Sequence, residues 1–289
     1  MLKKRIVALL IVKDGRVVQS IGFKKYLPVG DVGISVEFLN RWGIDEIVLL
    51  DIDATNKKVA PDFEKIRKIS KKSFAPLTVG GGIKNIDDIK KLVRYGADKI
   101  SINKIALLDP LIIGRASEIF GSQCIVVSID VKKRSKGYEV VSDNGKICTG
   151  LNPVDWAKKI EELGAGEILL NSVDKDGSKS GYDLEIIKRV ADAVSIPVIA
   201  AGGAGHPKHF FEVFEKTGVL SASAGNFFHF TEHSPIVVKS FLRHNGVDVR
   251  LDTHADYNDI NFSNNGRILK RSEDYLDKLR FEYLPEEII

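Results

Sequence analysis

Two cysteines, one methionine and two tryptophans in 289 residues leave little room for several common architectures. Cys124 and Cys148 cannot build a disulfide framework, and neither stands in a metal-ligand spacing, so a reducing cytoplasm is the expected setting and no metal is expected. No apolar run approaches the roughly 20 residues needed to span a bilayer. The opening Met1–Ile11 is basic and then apolar, as a signal peptide is. Lys13-Asp14-Gly15-Arg16 cuts it short with no small-residue cleavage site, and it reads as a buried first strand. A Gly-x-Gly-x-x-Gly after that strand is missing, which argues against an open dinucleotide-binding sheet. Charge excess is missing too: 43 Lys and Arg against 39 Asp and Glu give a net +4. With no basic stripe carrying interleaved aromatics, nucleic acid is not an expected partner, whereas small anions are. No organic cofactor is expected.

What the chain does have is alternation. At 44% hydrophobic and 28% charged it has an ordinary globular composition. Short apolar runs at Arg5–Ile11, Glu46–Asp51, Phe74–Val79, Lys99–Ile102, Ile125–Asp130, Glu167–Asn171, Val198–Ala201 and Leu220–Ser223 predict eight strands. Between them apolar residues recur at a helical period, as at Ile86, Ile89, Leu92 and Val93, or Ile186, Ile187, Val190 and Ala193. Strands so uniformly apolar are buried on both faces. The halves also repeat: Gly43–Asp51 matches Gly164–Ser172, and Pro76–Gly82 matches Pro197–Gly203. Eight such units with a twofold repeat predict an α/β fold, a closed (β/α)8 barrel over residues 1–251. The repeat fails sharply at one place, where Ile11 faces Asp130.

Two segments break the alternation. Lys132–Lys146 is polar, with turn signals at Gly137 and Asn144-Gly145 around Tyr138–Val141, and predicts a small hairpin after the fifth strand. Residues 252–289 form an extension, because Pro235–Arg243 already supplies an eighth helix. Its polar start, His254–Asn265, looks like a linker. Ile268, Leu269, Tyr275, Leu276 and Leu279 then suggest a short helix, docked on the barrel or offered to a partner.

In such barrels the active site lies at the carboxyl ends of the strands. Gly80-Gly81-Gly82 after strand three and Gly202-Gly203-Ala204-Gly205 after strand seven both fall there. Glycines at these turns let backbone N–H groups approach a phosphate at a helix N-terminus. Each loop is followed one strand later by a small polar turn, Asn103 or Ala224-Gly225-Asn226. Together they predict two phosphate positions across the mouth, although tight turns alone would also select glycine. At the opposite end Arg5, Glu46, Lys99 and Glu167 begin strands with alternating sign. Converging there, they must pair, because a lone buried charge is costly.

The strings Val12–Val18, Thr78–Ile83, Gly96–Asn103, Phe120–Gln123, Gly164–Leu170, Asp174–Asp183 and Gly202–Gly205 make Met1–Leu251 resemble the HisF family, the cyclase subunit of imidazole glycerol phosphate synthase in histidine biosynthesis. The resemblance implies a HisH-like glutaminase docked on the amino-terminal face, with Asp98 as a partner-facing acid. It implies ammonia passing through a gate of Arg5, Glu46, Lys99 and Glu167, and a substrate with two phosphates. Phosphate contacts carry over to Gly82 and Asn103 on one side, and to Asp176, Gly177, Gly203, Ala224 and Gly225 on the other.

The match departs where chemistry would occur. The family reaction uses an acid and a base at the ends of strands one and five. Asp130 is present, but its partner position is Ile11, which can neither give nor take a proton. Gln19 stands where a lysine is usual, Asn171 where a threonine is, Gly225-Asn226 where a serine helps hold phosphate, and Lys104 where a small hydroxyl residue is. The expected function is therefore a paralogue that keeps the ammonia route but serves another acceptor, passing ammonia to a separate amidotransferase that amidinates a surface-polysaccharide sugar. A true cyclase, with Asp51 or Asp176 replacing the missing acid, is the main alternative. A non-catalytic conduit or scaffold is a third, and an isomerase, which needs no ammonia gate, a fourth. His206 and His209 share a helical side without an acidic third ligand, and His229 sits near the mouth as binding or packing residue.

Overall fold

The computed structural model describes residues 3–135, 137–229, 233–255, 257, 263 and 269. The chain opens with β1 (Arg5–Lys13), which turns back as a hairpin of β2 (Arg16–Ile21) and β3 (Lys25–Gly30). Then come α1 (Val32–Arg41) and β4 (Glu46–Asp51), α2 (Phe63–Ser70) and β5 (Leu77–Gly80), α3 (Ile86–Arg94) and β6 (Lys99–Ile102). Helices α4 (Lys104–Leu108) and α5 (Leu111–Phe120) lead to β7 (Ile125–Arg134), which also turns back, into β8 (Gly137–Ser142) and β9 (Ile147–Cys148). The remaining units are α6 (Pro153–Glu162), β10 (Glu167–Ser172), α7 (Leu184–Ala191), β11 (Val198–Ala201), α8 (Pro207–Thr217), β12 (Ser221–Ala224) and α9 (Ser234–His244). Strands β1, β4, β5, β6, β7, β10, β11 and β12 pair in parallel in that order, and β12 returns to β1. The sheet is closed, an eight-stranded (β/α)8 barrel.

Strand alternation sorts the apolar residues into two cores. Ile6, Ala8, Leu10 and Val12 of β1 pack outward under the helices, as do Ile47 and Leu49 of β4 and Val127 and Ile129 of β7. Val7, Leu9 and Ile11 point inward, where they meet Val48, Val126, Leu169, Ile199 and Ala201. That inner column separates two polar layers, which the same alternation places at the ends. Arg5, Glu46, Lys99 and Glu167 lie below it, Asp130 and Asn171 above. Helix starts are fixed locally: Asp31, Asp62, Asn85 and Asn152 each accept a backbone N–H of the first turn.

The strands sit close to the sequence expectations, with one informative shift. Phe74 was expected to open the third strand, yet β5 begins at Leu77. Phe74 is instead 67% exposed and stacked on His254, centroids 4.1 Å apart. The hairpin after the fifth strand is present, and a second one, β2–β3, follows β1 where the sequence reading had none. The turn at Asp14-Gly15 has φ values of 47° and 75°, the left-handed geometry that two-residue hairpin turns require.

Two described residues of the extension, His254 and Tyr257, pack on the barrel. Tyr257 lies so close to Gly43 that a Cβ there would be 2.9 Å from its ring. Gly43 and Phe74 precede β4 and β5, so His254 and Tyr257 lie at the amino-terminal rim. Apart from Leu269, the short helix expected around Ile268–Leu279 lies outside the described residues. No helix among the described residues is long and apolar enough to cross a membrane.

Candidate functional site

The four strand-initial charges meet. Arg5 Nη1 lies 2.8 Å from Glu46 Oε2, and its Nη2 contacts Glu167 Oε1. Lys99 Nζ lies 3.0 Å from Glu46 Oε1 and 2.8 Å from Glu167 Oε2. Each cation bridges both acids, and each acid both cations, so the ring closes with alternating sign. The carboxylates are 2% and 5% exposed, the cations 27% and 20%, which turns the cations toward solvent and the acids inward. Thr78 Oγ1 donates to Glu46 Oε1 and helps hold it. Asp98 is exposed on the same rim, its carboxylate accepting the Leu77 N–H at 2.8 Å.

Between the ring and the opposite mouth the interior is apolar, apart from a few hydroxyls. Register places Ser221 beside Arg5 and Ser223 beside Val7, both facing inward. Both are fully buried, and neither hydroxyl has a partner among the described residues.

At the carboxyl end a cavity of about 370 Å³ opens, lined by Ile11, Asp51, Gly82, Asn103, Asp130 and Asn171 among others. Lys58, Lys84 and Lys104 also line it, which favours an anionic occupant. Gly81 and Gly82 have φ of 106° and 73°, and a Cβ on Gly81 would sit 2.1 Å from the Asp51 carbonyl oxygen, so only glycine fits that turn. Lys104, which replaces a small hydroxyl residue, reaches Asp143 Oδ1 at 2.6 Å and ties this loop to the β8–β9 turn.

Asp130 projects from the middle of β7 opposite Asn171 of β10, and accepts from Asn103 Nδ2 at 2.8 Å. Burial pushes its carboxyl up to about 7, despite the opposing hydrogen bonds of Asn103 and Asn171, and Asp176 adds to the rise. It can therefore exchange a proton near neutrality. Asn171 Oδ1 is buried without a partner among the described residues. Ile11, the repeat mate of Asp130, is 9% exposed, pairs with Val18 of the hairpin, and belongs to the inner cluster against which Tyr26 packs. The two acids considered as its replacement are otherwise engaged. Asp51 Oδ1 accepts the Asp53 and Ala54 N–H groups. Asp176 Oδ2 accepts Ser20 Oγ–H at 2.6 Å and the Phe23 N–H at 3.2 Å, and burial raises its pKa above the usual carboxylate range.

The structure thus gathers Gly82, Asn103, Asp51 and Asp130 around one cavity. Asp176, Gly177, Gly203, Ala224 and Gly225 lie together across the mouth but do not line it; Gly203 and Ala224 are buried. The sequence reading missed the bridge between Ser20 and Asn226. The Ser20 N–H donates to Asn226 Oδ1 at 3.1 Å, and Asn226 Nδ2 donates back to the Ser20 carbonyl at 2.7 Å. The histidines stay local. His206 Nδ1 accepts from Lys208 N–H and His209 Nδ1 from Gly205 N–H. His229 is largely buried and its Nε2 has no partner among the described residues, and burial lowers its pKa to about 4.

Comparison with known proteins agrees with this architecture. The family described as "Histidine biosynthesis protein" matches residues 5–234. The chain belongs to that family. Within it, the chain is 52% identical to imidazole glycerol phosphate synthase subunit HisF of Clostridium botulinum (strain Okra / Type B1), over 253 residues covering 87% of this chain and 100% of that one. It is 47% identical to the HisF of Bacillus cereus (strain ATCC 10987 / NRS 248) over 252 residues, with the same coverage. A putative subunit hisF2 of Vibrio vulnificus (strain YJ016) is 43% identical over 267 residues, 92% of this chain and 98% of that one. These HisF relatives support assignment as a synthase subunit of the cyclase type.

Proposed function

We propose that this chain is the ammonia-receiving barrel of a glutaminase-coupled assembly whose acceptor chemistry has moved away from the cyclase reaction. Residues 1–251 form the barrel and 252–289 an added segment. A HisH-like glutaminase docks on the rim that carries Asp98, and ammonia enters at the Arg5–Glu46–Lys99–Glu167 ring and passes the buried hydroxyls of Ser221 and Ser223. The acceptor is a sugar in surface-polysaccharide synthesis, amidinated by a separate amidotransferase.

The observation that carries this is Ile11. A general acid–base pair needs two proton-transfer groups on opposite sides of the substrate, and one side here is a hydrocarbon packed into the inner core. The ring meanwhile keeps all four charges paired. Asp130 retains a pKa fit for proton transfer, so one half of the machinery persists without the other. The competing reading, a working cyclase, is favoured by identity of about half over the whole length of the HisF relatives.

Purified protein with ammonium salt and the family's bisphosphate substrate separates the two. A rate lower than that of a HisF relative by on the order of 10² to 10⁴ is expected for loss of one member of the pair, with partial recovery in Ile11→Asp. Turnover matching that relative would overturn the proposal and make the chain a cyclase.

A further inference from the structure

The repeat that fails at Ile11 and Asp130 is restored one step further out. Lys13 and Lys132 are repeat mates, each two residues beyond those positions and on the same face of its strand. Both line a second cavity, of about 450 Å³, which is in the size range of small-molecule sites. It shares Phe23, Tyr26, Ile52 and Asn144 with the first cavity, and so adjoins it as a vestibule. Two hairpins wall this space, and both are anchored. Gly22 N–H donates to the Asp176 carbonyl at 3.0 Å, and Ser20 Oγ–H and Phe23 N–H both donate to Asp176 Oδ2. Lys104 holds the β8–β9 turn through Asp143. The hairpins also meet, because a Cβ on Gly145 would stand 3.7 Å from Phe23 Cδ2.

Charge in the vestibule is unbalanced. Asp53 lines it, but its carboxylate is spent on Lys13, Lys57 and the Asp14 N–H. Lys24, Lys132 and Lys146 reach the same space from three separate segments, and none of their ammonium groups has a carboxylate partner among the described residues. Glu139 stands opposite Lys132 in the ladder, yet it accepts from Arg134 and from the Gly150 N–H instead. Uncompensated cations around one concave space draw anions into it.

We propose that this vestibule binds a diphosphate group, held by Lys24, Lys132 and Lys146, on a ligand whose organic part lies against Phe23 and Tyr26. Two adjoining anionic phosphates can meet three ammonium groups arriving from different sides, which one phosphate cannot do as well. Nucleotide and lipid diphosphates share this chemistry. The site is additional to the anion positions of the two glycine loops and leaves them as they are. It depends neither on the ammonia route nor on the acceptor.

Isothermal titration calorimetry with inorganic phosphate, inorganic pyrophosphate, ADP and geranyl diphosphate tests it. Pyrophosphate is expected to bind at least about tenfold more tightly than phosphate, and whichever of ADP and geranyl diphosphate binds more tightly identifies the source. Lys132→Gln and Lys146→Gln should each weaken pyrophosphate roughly fivefold and change phosphate binding at the glycine loops little. In the wild type, pyrophosphate should shield Lys132 and Lys146 from acetic anhydride, read by mass spectrometry, and leave the exposed Lys158 of α6 reactive. Equal affinity for phosphate and pyrophosphate would overturn the proposal. So would undiminished pyrophosphate binding in both variants, or Lys132 and Lys146 left unshielded in the wild type, since the anion would then sit at the glycine loops.

Discussion

Lys239 of α9 lies 2.6 Å from Asp45, just ahead of β4, and neither side chain is exposed beyond 1%. The other oxygen of Asp45 accepts the Ile6 N–H at 2.8 Å, so a single carboxylate ties α9 to the feet of β1 and β4. Burial pushes both groups toward their neutral forms, and their contact opposes it. Lys239→Met alone should lower stability by about 3–5 kcal/mol, because it strands a buried acid. Adding Asp45→Asn, which keeps an acceptor for Ile6, should restore most of the loss. Urea unfolding of the wild type and the two variants measures this.

Asp130 and His229 should give stability opposite pH slopes. The folded carboxyl titrates near 7 against 3.8 in the unfolded chain, so its contribution is full at low pH and lost as pH rises toward 7. The folded imidazole titrates near 4 against 6.5, so its contribution is full above 6.5 and lost as pH falls toward 4. The slopes offset each other in the wild type. Asp130→Asn should therefore show stability rising from pH 4 to 6.5, and His229→Gln stability falling over that range, each by at most about 1.4 kcal/mol per pH unit. Thermal melts across pH would contradict this if the two variants tilt the same way.

Breaking the ring should be costly in proportion to burial. Glu167→Gln leaves Arg5 and Lys99 to share Glu46 alone, and a loss of about 3 kcal/mol is expected. Arg5 is the more exposed cation and can turn to water, so Arg5→Met should cost less than Glu167→Gln. Denaturant midpoints of both variants decide the order.

Gly43 reports on the extension. It has φ of 77° and its missing Cβ leaves room for Tyr257. Gly43→Ala should cost about 1 kcal/mol from the backbone alone and loosen the segment after Leu251, which limited proteolysis would reveal as faster cleavage there. Tyr257→Ala should give the same cleavage with little loss of barrel stability.

The barrel was legible because its signals are local and repeated: apolar strand runs, helical periods, and glycine turns that recur in both halves. Asp130, Gly82 and Asn103 followed from strand position, and so did the ring, because Arg5, Glu46, Lys99 and Glu167 each open a strand. The first hairpin was missed although Asp14-Gly15 carried its turn signal. Pro28 and the exposed Leu27 and Val29 give β3 none of the buried alternation that marks a strand. Contacts across the chain left no trace to read. Asn226 meets Ser20 from 206 positions away, and Lys239 meets Asp45 from 194. Phe74 misled because an apolar residue at a strand's approach can serve a passing segment instead of the sheet.

The closing ladder between β12 and β1 ends at Ala8, while the hairpin pairing begins at Ile11. The seam that makes the barrel a barrel therefore stops before the residues that differ most from the expected pattern. Such a division lets substitutions accumulate at the mouth with little thermodynamic risk to the scaffold, so a lineage can try new acceptors there without first becoming more stable.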